Sequence, residues 1–196
     1  MASYELFKHS IQEAEGGYQN LTNDKGNYNS LRQRVGTNYG VSAKFYEKVI
    51  GRPPTIADMK SITQTEAHQL FKIHFWDAIK GDAIQSQAVA EMVADHSINA
   101  NPRVTAGIVQ RTLNRYFGKN LKVDSVIGAK TLQAINSVNP QQLFAKIGQE
   151  RLHHYSRLDD YKYFSKSWNS RVFNLAKKYG ISLIDTIKKK VPKRLS

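Results

Sequence analysis

Apolar residues in this chain recur every three or four positions through one segment after another, and nowhere do they alternate over the length of a strand. That spacing restricts the fold to helices, because residues three and four apart share one helical face, whereas a half-buried strand needs a period of two. Phe7, Ile11 and Ala14, widened by Leu6, make the first stripe. Val41, Phe45 and Val49 make a second, and Ala67, Leu70, Phe71, His74 and Ala78 a third. The pattern continues through Ala88, Val89, Met92 and Val93, then Val104, Ile108, Thr112 and Tyr116, then Leu132 and Ile135, then Leu143, Phe144 and Ile147. A last stripe holds Trp168, Val172, Phe173 and Ala176.

Local punctuation agrees with the stripes. Thr63 with Glu66 spells a capping box, and Asn139-Pro140 an N-cap followed by proline at the first helical position. Ser167 offers a cap for the last helix. Gly16-Gly17, Gly51, Gly81, Gly118 and Gly180 stand where stripes stop, as C-terminal glycines do. The expected fold is mainly α, with room for a small β-hairpin in the polar stretch 19–40. Asn99-Ala100-Asn101-Pro102 marks a sub-domain break, giving expected units at 1–95 and 96–180 and a basic tail at 181–196. On the third stripe His74 reads as a hydrogen-bonded core histidine. Trp76 and Asp77 read either as packing or as cleft lining.

At 196 residues, 40% hydrophobic and 23% charged, the chain is long enough to bury a core and too apolar for disorder. There is no apolar run of membrane-spanning length. The N-terminus lacks a basic start followed by an apolar block, so no secretory signal is expected. Without cysteine there are no disulfides or thiolate metal sites. The net charge of +13 favours polyanions: nucleic acid, anionic lipid, or the phosphates and carboxylates of a bacterial wall. Phosphate loops, dinucleotide fingerprints, zinc helices and nucleophile elbows are absent. His96, His153 and His154 lack companions at ligand spacing, so neither metal nor cofactor is expected. Basic residues are scattered along the chain and not gathered on one recognition helix, which argues against specific nucleic-acid binding.

One carboxylate stands out. Glu15 falls at the end of the first stripe, just before Gly16-Gly17, where the helix dipole disfavours negative charge. Held there, a glutamate resists ionisation and suits general-acid work. By itself it also fits an exposed residue in a frayed last turn. The stretch after it is polar, aromatic and bounded by glycine, with Tyr18, Asn20, Asp24, Thr37, Asn38 and Tyr39. Aromatic faces, amides and a carboxyl are what a sugar chain requires of a protein surface.

These residues carry a resemblance. Glu15-Gly16-Gly17-Tyr18-x-Asn20, then Asp24-x-Gly26, then Thr37-Asn38-Tyr39-Gly40-Val41-Ser42 resembles the signature of glycoside hydrolase family 108, lysozyme-like N-acetylmuramidases. Thr63-x-x-Glu66-Ala67 and Phe75-Trp76-Asp77 are similar to that family's next helix. Asp95, Gln110-x-x-Leu113-Asn114, Val123-Asp124-x-x-Ile127-Gly128-x-x-Thr131-Leu132 and Trp168-Asn169-x-Arg171 resemble the helical, predicted peptidoglycan-binding domain paired with it. Two features depart from the pattern: a ten-residue excursion from Asn27 to Thr37, and Ser167 before Trp168 where the family has glycine.

The resemblance implies a lysozyme-like helical domain followed by a wall-binding one. It also implies cleavage of the β-1,4 bond between N-acetylmuramic acid and N-acetylglucosamine, with Glu15 as general acid. Asp24 and Thr37 are the candidates for the second catalytic group. Tyr18, Asn20, Asn38, Tyr39 and Trp76 are candidates for substrate contact. If no base serves the water, the muramic C6 hydroxyl is the alternative nucleophile, as in a lytic transglycosylase. A non-catalytic wall-binding protein is the reading from another class. The expected partners are glycan strands and anionic wall polymers or a membrane surface, with the protein a monomer. An endolysin-like, bacteriolytic enzyme of this kind would reach the wall by holin-type release or a dedicated secretion route.

Overall fold

The computed structural model describes residues 1–12 and 16–183. It forms two compact units, one of Glu5–Ile73 and one of Met1–Tyr4 with the chain from His74 onward. In chain order the helices and strands are α1 (Tyr4–Gln12), β1 (Thr37–Asn38), β2 (Val41–Ser42), α2 (Ala43–Ile50), α3 (Ile56–Ser61) and α4 (Gln64–Phe71). Then come α5 (Gln87–Ala100), α6 (Pro102–Phe117), α7 (Ala129–Asn136), α8 (Pro140–Tyr155) and α9 (Tyr161–Tyr179). The molecule is mainly α, as its periodicity requires. Among the described residues the sheet is one antiparallel pair, Thr37 opposite Ser42 and Asn38 opposite Val41. Tyr39 and Gly40 join these strands with φ of 44° and 73°, the double left-handed turn whose twist suits a tight hairpin.

Helix ends follow the capping chemistry. Ser42 Oγ accepts from Phe45 N, and α2 closes on Gly51 at φ 72°. Thr63 and Glu66 cap α4 reciprocally, and Asn139 accepts from Gln142 N at the start of α8. Each such cap is worth about 1 kcal/mol. A second capping box, Thr55 with Asp58, opens the short helix α3 that the stripe pattern passes over. The start of α9 is a correction: it begins at Tyr161, so Ser167 lies inside it, and Asp160 supplies no side-chain cap.

The third stripe is also corrected. After α4 the residues Lys72–Trp76 wind as a π turn, followed by a 3-10 turn at Asp77–Ile79. A π turn accommodates one residue more than an α turn, and the inward face slips by one position. Ala67, Phe71, Phe75, Trp76 and Ile79 are therefore buried, while His74 and Ala78 are exposed. The buried histidine of this segment is His68.

In the unit from His74 onward, α5 packs against α6, α8 and α9. Met92, Val93, Val109, Leu113, Phe144, Ile147 and Val172 fill the middle. Gly148 on α8 lets the helices close, because a Cβ there would lie 3.0 Å from Leu183 and 3.4 Å from both Met92 and Val172. Charge is buried among these apolar residues. Asp95 of α5 receives Arg171 of α9 at 2.7 Å on one oxygen and Arg151 of α8 on the other. Arg151 is fully buried and also donates to Met92 O and Tyr155 Oη, each at 3.0 Å. Burial alone would raise the Asp95 pKa, but the charges of Arg171 and Arg151 outweigh it and hold the carboxyl at about 2. Glu91, one turn away, is fully buried and accepts from Lys178 Nζ at 2.7 Å.

His96 of α5 is buried with its Nδ1 3.0 Å from Thr105 Oγ1. Burial first, then the charges of Arg151 and His154, depress its pKa well below 6.5 against the opposing pull of Asp95. The folded protein thus keeps His96 neutral where the unfolded chain binds a proton, and stability is lost as pH falls below about 6.5. The expected slope from this group is about 1.4 kcal/mol per pH unit. Urea denaturation at pH 7, 6 and 5 should register it, and His96→Gln should flatten the slope by about one proton's worth. An unchanged slope in that variant would exclude His96 as its source.

Candidate active site

Glu15, on which the catalytic expectation centres, lies outside the described residues, as does the basic tail beyond Leu183. The site can be built from Gly16 onward. Gln19 and Thr37 form an antiparallel bridge, with Gln19 N donating to Thr37 O at 2.8 Å and Thr37 N to Gln19 O at 2.9 Å. This bridge closes 19–37 into a single loop. A second bridge, Tyr28 with Arg34, lies inside it, so the ten-residue excursion is itself a small hairpin. Asn29 pins that hairpin, donating to Gln33 Oε1 at 2.9 Å and Pro54 O at 3.1 Å.

Asp24 sits at the neck of the loop, half buried, as the cap of a 3-10 turn over Lys25–Asn27. Its Oδ1 accepts from Gly26 N at 2.8 Å and its Oδ2 from Gln19 Nε2 at 3.1 Å. Each oxygen thus has one donor and keeps capacity for another. Gly26 leaves this carboxylate undisturbed, since a Cβ on it would stand 3.0 Å from Asp24 Oδ1 and press it aside. Asn27, fully buried, donates from Nδ2 to Gln19 Oε1 at 3.1 Å and to Leu21 O at 2.9 Å. Its own carbonyl receives Val35 N and Gly36 N at 2.8 and 3.0 Å. Gln19 therefore touches Asp24 through its side chain and Thr37 through its backbone.

Three polar atoms of this loop are buried without a hydrogen-bond partner among the described residues: Asn20 Oδ1, Asn27 Oδ1 and Thr37 Oγ1. An unpaired buried oxygen costs roughly 1–3 kcal/mol, so such atoms mark places where water or a bound molecule completes the bonding. Asn20 and Thr37 are thereby suited to receive a donor from substrate or solvent.

The remaining candidates differ. The Tyr18 ring rests on Gly36, whose φ is 90° and whose notional Cβ would fall 2.5 Å from Cε2. Tyr18 Oη donates to Val35 O at 3.1 Å, and Lys60 Nζ lies 5.2 Å from the ring centroid. Its half-exposed ring thus braces the loop and carries a cation. Asn38 is 4% exposed, and its Nδ2 donates to Met59 O at 3.0 Å and Ile62 O at 3.1 Å. It ties the hairpin to the end of α3, a structural role. Trp76 is 0% exposed and belongs to the other unit, with Nε1 donating to Asp82 Oδ1 at 2.8 Å and Tyr4 edge-on at 5.8 Å. Gly81 is pressed against its indole. Trp76 is core and presents no face to a glycan. Tyr39 stays half exposed in the hairpin turn.

Sequence reasoning missed Gln19 and Asn27. Neither belongs to the signature, and their roles exist only once the loop is closed. Among the described residues no cluster of three or more His, Asp or Glu stands ready for a metal ion, and no helix is long and apolar enough to cross a membrane.

Comparison with known proteins adds three findings. The family described as Glycosyl hydrolase 108 matches residues 9–100. The family described as Predicted Peptidoglycan domain matches residues 104–173. A solved structure of Brucella abortus SagA is 23% identical, covering 93% of this chain and 97% of its own, with a TM-score of 0.78. At that identity the likeness establishes the fold. No curated protein sequence matches.

Proposed function

Residues 9–100 belong to the glycosyl hydrolase 108 family, and from that premise we propose that this chain cleaves the β-1,4 bond between N-acetylmuramic acid and N-acetylglucosamine, with Glu15 as general acid. The two domains together support a glycoside hydrolase of lysozyme-like kind that acts on peptidoglycan at the cell wall.

In the proposed reaction Glu15 gives its proton to the glycosidic oxygen as that bond lengthens and the muramic ring gains oxocarbenium character. A water then attacks the anomeric carbon, and its proton passes to a carboxylate. The observation that supports Asp24 for this second part is its fixed carboxylate, with one donor on each oxygen and one accepting position left on each. Thr37 Oγ1, buried and unpartnered, is the companion group for holding the water. Asn20 and Tyr39 remain the proposed sugar contacts from this loop. The domain at 104–173 holds the wall while the loop works.

Mass spectrometry of digested peptidoglycan tests the reaction. Reducing-end muramic acid is the expected product. Anhydromuramic ends, lighter by one water, would assign the chain to the lytic transglycosylases and remove Asp24 as base. The basic surface fits anionic wall polymers, exposed charges being screened beyond about 8 Å at physiological ionic strength. A bacteriolytic, endolysin-like role follows from the same reading.

A further inference from the structure

The Asp24 carboxylate is oriented by a chain of two amides, and the direction of that chain is fixed by its own bonding. Gln19 Oε1 receives two N–H groups, Asn27 Nδ2 at 3.1 Å and Leu21 N at 3.2 Å. Turning the Gln19 amide over would set its NH2 against those two donors and its oxygen against the Asp24 carboxylate. The same test fixes Asn27, since its reversed amide would place Oδ1 against Gln19 Oε1 and Leu21 O. Both ends are anchored: Asn27 is fully buried and its carbonyl is doubly bonded, and the Gln19 backbone is paired in both directions with Thr37. Only this orientation sets no N–H against another N–H and no oxygen against another oxygen; it leaves Asn27 Oδ1 unpaired and delivers a donor to Asp24 Oδ2.

We propose that Gln19, locked by Asn27, is a positioning residue for the hydrolytic step: it holds the Asp24 carboxylate with one accepting position turned toward the attacking water, and couples it through the Gln19–Thr37 backbone bridge to the Thr37 hydroxyl. This inference rests on the reading of Asp24 as the second catalytic group. Carbonyl-to-amide polarisation runs from Asn27 through Gln19 to Asp24, so the carboxylate is held by a group that is itself held. Neither Gln19 nor Asn27 is among the residues that carry the family resemblance.

A double-mutant cycle separates positioning from mere support of the fold. Gln19→Met keeps length and removes the donor. It should lower kcat on purified peptidoglycan by roughly ten- to a hundredfold with KM little changed, because a small misplacement of a catalytic group costs about that much. Asp24→Asn should lower kcat at least as far. Adding Gln19→Met to Asp24→Asn should cost nothing further. If the two losses multiply, Gln19 acts on the loop and not through Asp24, and the inference is overturned. Full kcat in Gln19→Met overturns it too. If Gln19→Met does not fold, the side-chain amide resonances of Gln19 in the wild-type protein decide. They should move in Asp24→Asn, and their constancy would overturn the proposal. Full activity of Asp24→Asn would remove this inference and leave the assignment of Glu15 intact, whereas that assignment falls only with an active Glu15→Gln.

Discussion

Glu15→Gln should lower the clearing of a peptidoglycan suspension by about 10²–10⁴-fold, the range a positioned general acid contributes, while the melting temperature stays within a degree or two of wild type. Glutamine matches glutamate in shape and removes the transferable proton. The glycosidic oxygen then leaves as an alkoxide-like group, which is the costly part of the reaction. Wall pelleting by the variant should be unchanged, because the residues matching the peptidoglycan domain begin at 104. Clearing within tenfold of wild type would eliminate Glu15 as the acid. Loss of pelleting together with clearing would point to a wall-binding defect in its place.

Asp95→Ala should be the most damaging substitution for the unit from His74 onward, at about 3–5 kcal/mol, because it leaves the guanidinium of Arg151 buried without its counter-ion. Arg171→Ala removes a partner that is 31% exposed and leaves the Asp95–Arg151 pair whole, so its cost should be clearly smaller. In thermal unfolding the first variant should lose on the order of 10 °C. Equal losses in the two variants would contradict this account of the triad. The acid limit follows from the same group. Its folded pKa of about 2 lies below the ordinary 3.8, so its stabilisation is complete above that ordinary value and disappears as pH falls toward 2.

Much of the fold was legible because its helices announce themselves in two independent ways. Stripe and N-cap agree for α4 and α8, and stripe and closing glycine for α2 and α6. Where one signal was missing, the reading slipped. The helix α3 has six residues, too few to show a stripe, and its Thr55–Asp58 box passed unnoticed. The start of α9 has no side-chain cap, which made Ser167 look like one. The π turn at Lys72–Trp76 has no sequence mark of its own, and it moved His74 from the expected core to the surface.

The site divides along the same line. The Asp24-x-Gly26 motif is a local pattern and could be read directly, and in the structure Gly26 N donates to Asp24 Oδ1. The Gln19–Asn27 amide pair could not, since it depends on the loop closing through Thr37. Asn38 and Trp76 carry residue types that suit sugars, and burial turned each to another use.

The buried acids of α5 have an effect outside the core as well. Glu91 is 0% exposed while its partner Lys178 is 41% exposed, and Asp95 is 14% exposed against 31% for Arg171. Glu91 with Lys178 sums to zero on paper and Asp95 with Arg171 and the buried Arg151 to +1, and in each the anion stands further inward than the cation nearest the water. A polymer of phosphates or carboxylates approaching within a Debye length meets the ammonium or guanidinium first. The neutral Glu91–Lys178 pair and the outer Asp95–Arg171 contact thus both point a cation outward, and this face of the α5–α9 bundle attracts a polyanion more strongly than a total of +13 conveys.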